Sequence, residues 1–265
     1  MNARRLKALL PLSAIFVLVA CGGAADVPHF QLSDQLASGQ TLGIRNLTGS
    51  VTVRPSTDGQ LHVVAEGLSH GSRPERVRME TARGANGITV CAMWGRGGSC
   101  VDGDYSPSTG SFWSKFAFRS RVEVNFTVQL PAGVRLDIRD VNGEVTVAGA
   151  TSDVLVHSIN GGIRAATDGG TLELKSVNGN VTADVRNAPR RVSAKTINGS
   201  VEVIGPAELA GDVEMSVVNG SIESDFAVTT TGKLSKRKLV GRIGAGGVPL
   251  EIKSVNGSVS LHRRA

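Results

Sequence analysis

A three-residue phrase, a β-branched residue followed by Asn and Gly, recurs through the second half of this chain. It reads Val141-Asn142-Gly143, Ile159-Asn160-Gly161, Val177-Asn178-Gly179, Ile197-Asn198-Gly199, Val218-Asn219-Gly220 and Val255-Asn256-Gly257. Leu47-Thr48-Gly49 and Leu239-Val240-Gly241 keep only the glycine. Successive asparagines are 18, 18, 20, 21 and 37 residues apart, and Val240 divides the last gap into 21 and 16. Such a period is the mark of repeat architectures, in which each short unit buries its apolar side against the next. Around every copy lie two runs with period-two apolar residues, Leu172 and Leu174 before the phrase at Val177, Val181 and Ala183 after it. This reads as two short strands meeting at a corner, with Val177 grouped among the core positions.

Asn-Gly between alternating strands is also the strongest short hairpin signal, so an antiparallel β-meander is the alternative. A type I′ hairpin turn needs positive φ at both central residues, which Val240 and Thr48 resist. Only the glycine occurs in all eight copies, which suits a type II turn with Gly at its second central position. The expected fold is therefore all-β, a β-solenoid of about eight short two-strand coils with Asn-Gly corners and asparagine amides stacked in a ladder. With 33 Gly and only ten aromatic residues, the composition agrees with strands and turns.

Stacking brings residues of equal phase about 4.8 Å apart in neighbouring coils. Three residues before each Asn position stand Arg45, Arg139, His157, Lys175, Lys195, Ser216, Arg237 and Lys253. Five before it stand Asp137, Leu155, Glu173, Ser193, Glu214, Ser235 and Glu251. A basic column is thus expected beside an acidic one on an outer face, either as a solvated surface of weak ion pairs or as a polar face for a glycan or another envelope protein.

The chain begins with a targeting segment. Arg4, Arg5 and Lys7 precede an apolar run from Ala8 to Ala20 that is too short to span a bilayer as a helix. Leu18-Val19-Ala20-Cys21 resembles the bacterial lipobox, which implies cleavage before Cys21, lipidation of its thiol, and attachment to a membrane without a spanning segment. Gly22, in place of an acid, resembles the export signal of outer-membrane lipoproteins. The expected organisation is a signal peptide over 1–20, a lipid-anchored flexible tether over 21–40 and a single solenoid domain over 41–265. Net charge is +6, and losing the leader leaves 26 basic against 23 acidic residues, too mild a balance to point to nucleic acid.

Two segments depart from the repeat. An insertion at 91–120 carries Trp94, Tyr105, Phe112 and Trp113 and is pinned by a disulfide expected between Cys91 and Cys100, an even pair in an oxidising compartment. It reads as a cap over one open end or as a patch of aromatic anchors for a partner. Lys236, Arg237 and Lys238 crowd one copy and suit anionic headgroups or other acidic envelope polymers.

No P-loop, HExxH, G-x-S-x-G or dinucleotide fingerprint is present, the Cys spacing is not that of a zinc site, and no cofactor or metal is expected. The one catalytic arrangement worth stating pairs Glu202 with Glu223 in adjacent coils at the roughly 5 Å separation of retaining glycosidases.

The lipobox, the strand ending in Leu130-Pro131-Ala132-Gly133, the serial Val-Asn-Gly copies and the closing Gly244-Ala245-Gly246-Gly247-Val248-Pro249-Leu250 together resemble the "putative adhesin" family of bacterial envelope β-repeat proteins, over about residues 42–261. The resemblance implies a lipid-anchored, non-catalytic binding or structural module of the envelope, bound to the membrane through Cys21 and to a glycan or protein partner. A carbohydrate-active solenoid enzyme and a self-associating envelope scaffold are the alternatives.

Overall fold

The computed structural model describes residues 28–70, 76–95, 98–101, 104–106, 122–187, 189–230 and 235–264. The leader, Cys21, Phe112 and Trp113 lie outside them. A ten-stranded and an eleven-stranded sheet pack face to face, and most of their strands run parallel, as the stacked layers of a coil require. The all-β, solenoid-like architecture is therefore the one the repeat predicts.

The chain enters through β1 (His29–Asp34), then makes a coil from β2 (Thr41–Arg45) and β3 (Val51–Pro55) around Gly49. It next moves outward. β4 (Leu61–Ser69), the hairpin of β5 (Val77–Gly84) and β6 (Gly87–Trp94), the small hairpin of β7 (Ser99–Val101) and β8 (Asp104–Ser106), and β9 (Val122–Leu130) follow. β6 and β9 form a coil on the far side of β2 and β3, beyond which the antiparallel strands β4, β1 and β5 close the end. Trp94 ends β6 and Val122 begins β9 on the corner side, and the sequence between them contains no Asn-Gly pair.

Four regular coils then stack in order: β10 (Arg135–Asn142) with β11 (Val145–Ala150), β12 (Val154–Asn160) with β13 (Ile163–Thr167), β14 (Thr171–Lys175) with β15 (Val181–Val185), and β16 (Arg191–Asn198) with β17 (Val201–Gly205). At the other end the order changes again. β18 (Gly211–Asn219) and β19 (Ile222–Ser224) take the outermost coil, β20 (Val228–Thr230) and β21 (Lys238–Ile243) run along β18 as an antiparallel edge, and β22 (Val248–Asn256) with β23 (Val259–Arg263) slots between β16/β17 and β18/β19. Eight two-strand coils result.

Their inner faces form one core. Leu42, Ile44, Leu136, Ile138, Leu172 and Leu174 from one sheet meet Val51, Val145, Val181, Val201 and Val259 from the other, all essentially inaccessible. At roughly 25 cal/mol per Å² of apolar area, this continuous burial is the main stabilising term, and no single coil could supply it alone.

Three expectations need correction. The flexible tether does not extend to residue 40, because His29–Asp34 is already a strand hydrogen-bonded along β4. Leu239-Val240-Gly241 is no corner but the interior of antiparallel β21, where a glycine side chain would strike Thr229. The insertion starts later than residue 91, since β6 runs buried as far as Trp94.

Cys91 and Cys100 are joined, tying β6 to β7. The bridge closes a loop of sequence separation 9. Its reduction is expected to lower stability by about 2–3 kcal/mol, read as a fall in the urea midpoint, if chain entropy of the unfolded state is its main contribution.

Candidate binding face

At each corner the chain changes which residues face inward, and the side chain two before the asparagine, not the one before it, turns into the core. Thr196 donates to the carbonyl of Gly179 at 2.9 Å, Ser176 to Gly161 at 3.1 Å and Ser254 to Gly199 at 2.8 Å, so each coil is pinned to a glycine of its neighbour. Asn46 uses its amide in the same way, on Gly49 and Val124. Ile159, Ile197, Val218 and Val255 therefore point outward and Val177 lies half-buried, contrary to the core position expected for them, while Leu47 and Val141 in the first coils are buried. The phase slips one residue earlier than apolar periodicity suggests, because a buried Ser or Thr hydroxyl satisfied by a backbone carbonyl is compatible with the core.

The glycines also differ from the expected type II geometry. Gly179, Gly199, Gly220 and Gly257 have φ between 143° and 157°, far from the +80° of a type II turn, and Gly143 and Gly161 are not in the left-handed region at all. What they share is crowding: a Cβ at Gly143, Gly161, Gly179, Gly199 or Gly257 would overlap the carbonyl of the glycine in the next coil. Beside them the asparagines form the expected ladder, Asn160 donating to Asn142, Asn178 to Asn160, Asn198 to Asn178, Asn256 to Asn198 and Asn219 to Asn256, at 2.7–2.9 Å.

The outer face of the eleven-stranded sheet carries the two charged columns, reordered by the interposed last coil. The basic one runs Arg45, Arg139, His157, Lys175, Lys195, Lys253, Ser216 and Lys238; the acidic one runs Asp137, Leu155, Glu173, Ser193, Glu251 and Glu214. Lys238, not Arg237, holds the last basic position, and Ser235 is not in the acidic column. The columns are cross-linked. Arg45 reaches Asp137 at 2.6 Å, Lys195 and Lys253 hold Glu251 at 2.7 and 2.8 Å, Lys253 and Lys238 each hold Glu214 at 3.2 Å, and Lys175 pairs with Glu173. Burial alone would raise the Glu251 carboxyl, but the two ammonium groups outweigh it and hold its pKa at about 2. His157 is pushed below its usual value by burial and by Lys175.

Over the first coils the face deepens into a cleft of about 290 Å³, flanked by Arg45, Arg139 and His157 and walled by Leu47, Val141 and Ile159. Beneath it, Asp140 occupies the inward position that Ser, Thr and Asn fill in other coils. A carboxylate cannot donate to a carbonyl; at 3% exposure neither of its oxygens has a partner in good hydrogen-bonding geometry, and burial, which outweighs the nearby Asn46 amide and Val141 N–H, pushes its pKa up to about 7. Asn46 Oδ1 and Ser158 Oγ, in the flanking coils of the same column, are unpartnered too.

The proposed carboxylate pair is not brought together. Ser260 of β23 sits between Glu202 and Glu223, pairing with both, so two strand spacings separate them instead of one. Among the described residues no group of three or more His, Cys, Asp or Glu is placed to hold a metal, and no helix is long and apolar enough to cross a membrane. Trp94, offered as a partner anchor, is instead buried in the core at 2% exposure; Tyr105 lies on β8. Lys236, Arg237 and Lys238 are exposed, in a turn on the corner side where the Arg237 carbonyl accepts from Val217.

These features define a two-sheet β-solenoid with a ladder of asparagines along one edge and no assembled catalytic cluster among the described residues. The chain belongs to the Toastrack DUF4097 family, whose model matches residues 125–262, more than half of the sequence. Two solved structures are similar. A "putative cell adhesion protein" from Clostridium sporogenes shares 8% identity over 89% of this chain and 100% of its own, with a TM-score of 0.45. A "putative adhesin" from Bacteroides fragilis shares 11% identity over 89% and 97%, with a TM-score of 0.33. No curated protein shows significant similarity.

Proposed function

We propose that this chain is a lipid-anchored, non-catalytic module of the bacterial envelope that holds another envelope component, a glycan or a protein, on the outer face of its eleven-stranded sheet. The observation that supports it most is the registration of that face: basic and acidic columns run side by side over successive coils, rigidly held by backbone pairing and by the ion pairs between them. A rigid array of this kind loses little side-chain entropy on binding, which favours recognition of an extended, repetitive partner. The separation of Glu202 from Glu223 removes the arrangement on which a glycosidase reading stood. At one end both sheet edges are three-residue strands, β19 and β20, so that end offers little template for end-to-end stacking.

A photo-crosslinking residue at Lys175, on the face, tests the reading against one at Glu208, on the opposite edge from the corners. Capture of one envelope component at Lys175 but not at Glu208 is expected in living cells. Equal capture at both positions, or none at Lys175, removes the proposal.

A further inference from the structure

We infer that the corner edge of the solenoid docks on the surface of an anionic phospholipid bilayer. Large exposed apolar side chains are few among the described residues: Leu68, Ile159, Ile197, Val218, Val240 and Val255. Four of these, 39–50% exposed, stand at the same position in their coils, immediately before the ladder asparagine. With half-buried Val177 they form an unbroken row, Ile159, Val177, Ile197, Val255, Val218, because the asparagines next to them pair coil to coil in that order. At about 4.8 Å per coil the row is a straight ridge roughly 19 Å long. Leu68 adds a further aliphatic group on the corner side of the neighbouring sheet, opposite Glu123.

The charges around the ridge are graded. Its nearest flanking column is the basic one, with Lys175, Lys195 and Lys253, and the acidic column stands two residues further back along the strands. Lysine stems can lie along the aliphatic ridge while their ammonium groups, each paired with a carboxylate in the free protein, exchange that partner for lipid phosphate. Beyond Val218, at one end of the ridge, the exposed turn of Lys236 and Arg237 adds two more cations on the same side, next to Lys238, which pairs with Glu214.

Beyond the other end, five strands further along the ten-stranded sheet and so roughly 24 Å past the coil of Ile159, the chain emerges. His29 pairs with Glu66, Glu66 with Asn125, and the Asn125 side chain accepts from the backbone of Ser50, next to the first corner glycine. β1 therefore starts on the corner side. Seven residues separate Cys21 from His29, a reach of at most about 28 Å even when fully extended. This leg of the argument rests on the lipidation proposed above. An acyl group on the same side of the molecule holds the ridge near the bilayer at raised effective concentration. A ridge one side chain wide is also smaller than the roughly 800 Å² per partner of an ordinary protein interface, whereas a bilayer requires no matching shape.

The test places a nitroxide, carried on an incorporated keto amino acid, at Ile197 in one full-length preparation and at Glu208 in another. Each is reconstituted in vesicles of phosphatidylethanolamine and phosphatidylglycerol, and collision with oxygen is compared with collision with a nickel chelate. Mass spectrometry of the N-terminal peptide reports the acyl state of Cys21. The expected result is oxygen-dominated collision at Ile197 and nickel-dominated collision at Glu208. A Val255→Asp substitution should reverse the result at Ile197 while leaving the thermal melt in place. Nickel-dominated collision at both sites overturns the docking whether or not Cys21 is acylated. Shielding of Ile197 from both reagents overturns it in favour of a protein contact. An unmodified Cys21 with oxygen-dominated collision at Ile197 sustains the docking and removes only the lipid anchor.

Discussion

Replacing Asp140 by asparagine is expected to change stability little near pH 4 and to raise it by about 4 kcal/mol at pH 8. The sign follows from the direction of the shift. Below the ordinary aspartate value of 3.8 the acid is protonated in both states and contributes no difference. Between that value and about 7 the unfolded chain releases the proton while the folded chain keeps it, so the wild type loses about 1.4 kcal/mol per pH unit. Above about 7 the loss is complete and the curve is flat. An asparagine amide carries no charge to desolvate and can donate within the column as Asn46 does. Urea unfolding of both proteins at pH 4 and pH 8 measures the difference. A gap of the same size at both pH values would show that the Asp140 carboxyl titrates normally in the fold.

The second large effect belongs to the corner glycines. Gly257→Ala should cost about 3 kcal/mol or more. The residue has φ of 143°, and the new Cβ would lie 2.5 Å from the carbonyl carbon of Gly199 and closer still to its oxygen. Positive φ alone costs an alanine about 1–2 kcal/mol, and overpacking against backbone adds about 1–3 more. The clash falls on the backbone of Gly199 and Ser200 in the adjoining coil, which is itself packed from both sides and has little room to shift. Thermal unfolding of this variant beside Ser258→Ala, at a half-buried corner position where only a hydroxyl contact with Ser221 is lost, isolates the effect; equal melting temperatures would mean that the stacked glycines are not in contact.

Much of the architecture was legible because one short phrase carried several constraints together. The glycine, the ladder asparagine and the period-two strands could all be satisfied only in a stacked coil. The inward position was missed because Ser176, Thr196 and Ser254 look like surface residues until their glycine carbonyl acceptors are in place. The order of the coils was also hidden. Spacing along the chain says where a corner lies, not which neighbour it stacks on, so Glu202 and Glu223 seemed adjacent until β23 came between them. Val240 and Thr48 looked like equivalent weak copies, yet Thr48 bridges to Asn142 in the ladder and Val240 lies in an antiparallel edge strand. The candidate face was partly visible as alternating charge; the aliphatic ridge beside it was not, since its residues had been placed in the core.

The out-of-order coils at the two ends govern how this protein can come undone. In a simple stack the terminal layer peels first and unfolding proceeds like a zip from a free end. Here the last strands of the chain lie inside the stack, between β16 and β18, and β2 lies inside it at the opposite end. β1, on an edge, can peel by itself, but β2 at one end and β22 with β23 at the other cannot leave without dislodging a layer gripped from both sides. Slow amide exchange is therefore expected in Leu250 and Ile252, close to the C-terminus, and faster exchange in β19, which precedes them in sequence. During synthesis the same arrangement means that residues 211–224 emerge before their permanent neighbour and must leave room for it, so the stack locks only when its final strands arrive.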